Sequence, residues 1–185
     1  MADTPEQITR AWLETFVVGL NLCPFARPFL ADAALRVSVC EAHSVDALTR
    51  FFLEELDLIQ SCDEQDIATA LLVMPQALAD FDDYLGFLQH AQSLLADTGL
   101  VGTLQLASFH PEYLFEGEPA DGASHYSNRS PFPMIHLLRE DMLTRVLGED
   151  ADPERIVQRN LATLTALGRD ELVRRWRALF SGGSR

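Results

Sequence analysis

The segment FHPEYLFEGEPADGASHYSNRSPFP, residues 109–133, concentrates side chains that can move protons or hold charge. His110 and Glu112 flank Pro111, whose ring keeps the backbone extended. An imidazole there can act as a general base, with Glu112 orienting it. Asn128-Arg129-Ser130 stands directly before Pro131 and offers a guanidinium fork to a phosphate or carboxylate. These residues point to an anionic small molecule held by Asn128, Arg129 and Ser130 and worked on by His110 and Glu112. A second reading takes His110, Glu112 and His125 as a two-histidine, one-carboxylate set for a divalent metal, although their spacing matches no established motif. Plainer roles compete with both. His110 can bond a backbone carbonyl, and Arg129 can pair with Glu112, Glu116 or Glu118.

Cys23, in NLCPFA, raises thiol chemistry beside this segment. Placed at a helix C-terminus it meets negative potential, which raises a thiol's pKa and blunts its reactivity, so a packed cysteine is favoured over a redox one. Cys40 and Cys62 read as packing residues, and three cysteines without a C-x-x-C pair give neither a disulfide framework nor a zinc knuckle. His136 alternates with Met134 and Leu138 and reads as a core residue, while His90 and His43 carry no specific role. The phosphate-cradling glycine motifs, the serine nucleophile elbow and the H-E-x-x-H zinc motif are all missing from the sequence.

The elements that must position these groups follow from periodicity. Residues 4–20 spell one helix: Thr4 caps it, Gln7 completes a capping box, and Ile8, Trp12, Leu13, Phe16, Val17 and Leu20 share a face. The prolines of NLCPFARPF end it. Strands are expected over 34–42, 67–74, 102–109 and 134–140, the last of which could also open a helix, and helices open at Ser44, Asp80 and Asp152. A last helix holds Leu172, Val173, Trp176 and Phe180, and the SGGSR tail frays. The result is an α/β protein with a four-stranded mixed sheet, three parallel strands plus one antiparallel, and helices packed on it. Its β-α-β-α-β-β-α string matches the connectivity of a thioredoxin-like fold. Ligands of such sheets gather at the carboxyl ends of the parallel strands, and an antiparallel fourth strand starts at that same rim. Both ends of the 109–133 segment therefore converge there.

One domain spanning 1–185 suffices for this length. A net charge of -14 disfavours nucleic acid as a partner. No apolar run is long enough for a membrane span and no signal peptide opens the chain, so no membrane association and a cytoplasmic location are expected. All 14 basic residues are arginine, and 7 of them lie beyond Pro153. That Arg-rich end either docks on the acidic body or offers a protein partner a surface.

Three stretches, GLNLCPFA, ASFHPEYLFEG and NRSPFPMIHLLRE, together resemble the signature of a bacterial family labelled domain of unknown function 1415. The resemblance runs from the first helix through the fourth strand. It implies that the Cys23 segment and the long loop belong to one recurring pattern, with a shared site at Cys23, His110 and Arg129. The residue types suit an enzyme and a binding protein alike.

Overall fold

The computed structural model describes residues 3–23, 26, 34–147 and 153–181. The expected Asp152 cap, the Pro24 and Pro28 break and the tail beyond Ser181 lie outside the described residues. Helix α1 (Pro5–Trp12) opens on the anticipated capping box, with Gln7 N–H donating to Thr4 Oγ1 and Thr4 N–H to Gln7 Oε1. The expected single helix then changes pitch. Leu13–Val18 form a π-helical turn, and Gly19 and Leu22 donate five residues back, to Glu14 and Val17. The wider turn brings Leu13, Phe16 and Val17 inward together. Asn21 follows in the left-handed region at φ 54.

Strand β1 (Leu35–Val39) leads to α2 (Val45–Ser61), capped by Ser44, and β2 (Thr69–Val73) leads to α3 (Phe81–Asp97), capped by Asp80. After β3 (Leu104–Phe109) the long connection contains a 3-10 turn, Ala123–Ser127, before β4 (Met134–Arg139). Strand β4 runs straight into α4 (Glu140–Leu147), followed by α5 (Pro153–Leu167) and α6 (Arg169–Ala178).

The sheet order is β1-β2-β4-β3. It is mixed and four-stranded, but only β1 and β2 pair in parallel, which corrects the expected set of three parallel strands. Strand β4 enters between β2 and β3 and is antiparallel to both, so β3 keeps the direction of β1 and β2 while meeting neither. Strand β4 is more buried than β3 and lies against β2, all five of whose residues are buried, as fits a central strand covered on both faces. A shared string of elements leaves strand order unspecified, and the string alone does not establish a thioredoxin-like fold.

Both sheet faces are covered. Phe52, Leu56, Ile59, Tyr84 and Ala91 of α2 and α3 pack on Ala70, Leu72, Ile135 and Leu137. On the other face Trp12, Phe16, Leu164, Leu172 and Leu179 pack on Leu71, Val73 and Met134. The Arg-rich end thus docks on its own body. Leu172 is buried, Trp176 meets Phe16 edge-on at 6.2 Å, and Arg174 and Arg175 pair with Glu171 of their own helix.

Candidate functional site

The ends of the 109–133 segment meet as the topology required. His110 N–H donates to Asn128 O at 3.1 Å and Ser130 N–H to His110 O at 3.3 Å, a reciprocal backbone pair just beyond the β3–β4 ladder. Tyr84, fully buried, locks the same place by donating to Met134 O and accepting from Phe109 N–H. Trp12 Nε1–H donates to Arg129 O, tying α1 to the strand entry.

The side chains at this junction do something other than the residue types promised. His110 is fully buried between Phe81 and Tyr84, at ring distances of 5.1 and 5.0 Å. Its Nδ1 accepts the Glu112 backbone N–H at 3.0 Å, so the proton sits on Nε2 and is donated to Leu78 O at 2.9 Å. Burial lowers its pKa, although the Leu78 carbonyl, Glu112 and Asp80 oppose the shift. Leu78 is a bulky residue at φ 56, and the His110 bond holds that strained turn in place. Two residues earlier, Gln76 O accepts from His43 Nδ1–H. His125, also fully buried, accepts Phe115 N–H at Nδ1 and donates from Nε2 to Pro119 O. Its neighbour Gly122 has no room for a side chain, because a Cβ would lie 2.9 Å from Pro119 O.

The geometry bears on each expected site residue. Both ring nitrogens of His110 are hydrogen-bonded to backbone and the ring is sealed from solvent. Glu112 touches it through its own N–H. The metal set of His110, Glu112 and His125 is not assembled, and among the described residues no three His, Cys, Asp or Glu side chains gather to hold an ion. Ser130 is buried and donates to Phe132 O, so its hydroxyl turns a corner of the chain. Arg129 lies over the Tyr126 ring at 5.0 Å with Nε–H donating to Tyr113 O, and forms none of the acid pairs foreseen for it.

Space for a ligand lies beside the junction. A cleft of ≈ 480 Å³ opens between the long segment and α5, and Cys23, Phe109, Asn128, Glu116, Glu118 and Leu161 are among its walls. Asn128 is fixed in that wall by donating to Ser108 O and accepting from Ser127 Oγ. Arg129 is not part of it. Across the cleft, Arg159 donates to Asn21 O and Asn160 to Leu22 O, both at 2.7 Å, clamping the turn that carries Cys23. These α5 residues escaped sequence reasoning, although Val157, Leu161 and Leu164 repeat at helical spacing and the first two are solvent-facing apolar side chains.

Cys23, Val17 and Phe109 also wall a second, smaller chamber of ≈ 50 Å³ against the sheet, floored by Leu71, Leu138 and His136. Thr69 Oγ1 donates to Leu137 O and therefore receives the His136 Nε2–H. Burial pushes His136 down to about 4, so the chamber floor is uncharged at neutral pH.

Over residues 4–174 the chain matches the model of the family described as Protein of unknown function (DUF1415), and it belongs to that family. No curated protein and no solved structure matches it. No helix among the described residues is long and apolar enough to cross a membrane.

Proposed function

We propose that the protein binds a small polar molecule in the cleft between the 109–133 segment and α5. One observation carries this reading. Cys23 of GLNLCPFA, Phe109 of ASFHPEYLFEG and Asn128 of NRSPFP lie far apart in sequence, yet they wall one cavity of ≈ 480 Å³. Its volume falls in the range of ligand sites, about 300–1,000 Å³. The groups facing a bound molecule are the Cys23 thiol, the Glu116 and Glu118 carboxylates, the Ser124 and Ser127 hydroxyls and the Asn128 amide. Any proton transfer to it falls to the thiol or the carboxylates, because His110 and His125 are committed to backbone.

Leu161→Trp tests the site, since Leu161 is 37% exposed on the cleft wall and a larger side chain there fills the cleft without entering the core. A ligand at about 100 times its Kd adds about 2.7 kcal/mol, or roughly 5–10 °C in Tm for a chain of this size. Against a panel of neutral, cationic and anionic small molecules, at least one compound should raise the Tm of the natural chain and not of Leu161→Trp. A panel that shifts neither protein, or shifts both alike, removes the cleft as the binding site.

A further inference from the structure

The cleft and the chamber behind Cys23 differ in what they reward. Among the described residues, the ionisable side chains on the cleft wall besides Cys23 are carboxylates, Glu116 and Glu118, in a chain of net charge -14, whereas Arg129 is stacked on Tyr126 outside it and Arg159 is engaged with Asn21 O. A concave surface lined by one sign of charge concentrates the opposite sign. The chamber is apolar. Trp12, Leu35, Leu138 and Met142 line it, and its polar side chains, Thr69 and His136, bond each other. Val17, Cys23 and Phe109 line both spaces, so the two lie side by side across these three residues.

We infer that the ligand is a small organic cation carrying a short apolar end, with the charged head against Glu116 and Glu118 and the apolar end past Cys23 in the chamber. This rests on the cleft being the binding site proposed above. The chamber limits the apolar end. At about 30 Å³ for a water-sized group, ≈ 50 Å³ accepts about two carbon atoms. An aliphatic terminus gains there because the walls leave water too few partners to stay.

Calorimetric titration with straight-chain alkylammonium salts, methyl to hexyl, and with carboxylates of the same lengths decides the matter. The ammonium series should bind more tightly than the carboxylates at every length. Its affinity should rise about fourfold for each methylene that enters the chamber, then level off or fall once the chamber is full. Leu138→Phe fills the chamber from β4 and should abolish that rise while leaving the shortest ammonium ions bound; Ala26→Leu fills it from the other side should the first variant fold poorly. Carboxylates binding better, a flat length series, or a rise that survives both variants would overturn the inference. The two readings separate cleanly. If a compound of another class binds the natural chain and is blocked by Leu161→Trp, the cleft stands and this inference falls. If ammonium binding ignores Leu161→Trp, both fall.

Discussion

His110, His125 and His136 share a residue type and differ in what the backbone asks of them. The first two staple loops, each accepting a backbone N–H at Nδ1 and donating from Nε2 to a carbonyl. A backbone carbonyl was among the roles the sequence allowed His110, but which carbonyl was not legible, because a backbone partner leaves no residue type to recognise. What was legible was that FHPE and NRSP would meet, since strand direction alone brings them to one edge. His136 makes the strongest prediction at this scale. Its pKa falls from 6.5 to about 4 on burial, so between those values the unfolded chain binds more protons and acid favours unfolding. The contribution is complete above about pH 6.5 and is lost as pH falls toward 4, on the order of 3 kcal/mol in all. His110 adds to the same window in the same direction. Urea unfolding measured from pH 7.5 to 4 should show this slope, and His136→Gln should flatten it. Equal slopes in the two proteins would mean that His136 is not desolvated in the folded state.

Among the elements, the π-helical turn and the central β4 were the least legible. A π turn has no hydrophobic signature of its own, because Leu13, Phe16 and Val17 suit an α-helix equally well; the closing carbonyl, five residues back instead of four, is set by what packs around it. Gly19 is the local consequence. A Cβ there would sit 2.4 Å from Thr15 O, a contact that no side chain tolerates, which explains a glycine directly ahead of LNLCPFA. Gly19→Ala should therefore cost about 1–3 kcal/mol in a denaturant titration, as overpacking does elsewhere, although alanine ordinarily favours a helix. A neutral or stabilising result would contradict the π turn. The last helix yields a companion test. Leu172 is fully buried in the cluster that includes Phe16 and Leu164, and Leu172→Ala should lose about 2–5 kcal/mol. Were α6 an undocked arm reserved for a partner, the loss would be close to zero. Strand limits were read within a few residues, and MIHLLRE, left open between strand and helix, proves to be a strand that runs directly into α4.

At the scale of the whole molecule, the sheet and its covering helices were largely readable from alternation and caps, whereas the cleft was not. Its walls come from the turn after α1, the end of β3, the long segment and α5, and only the fold says that these four are neighbours. Arg129, the one obvious anion fork, faces Tyr126, and Glu116 and Glu118, expected as its partners, face the open space.

The clamp that Arg159 and Asn160 place on Asn21 and Leu22 has a bearing on how the protein is made. Synthesis runs from the N-terminus, so the turn bearing Cys23 leaves the ribosome long before the side chains that hold it. All four strands are available once Arg139 has emerged, and the sheet can assemble while α5 is still inside the exit tunnel. The cleft then closes only after all four strands have been made, and a chain stalled before α5 would carry the strands but lack the α5 wall of the cleft.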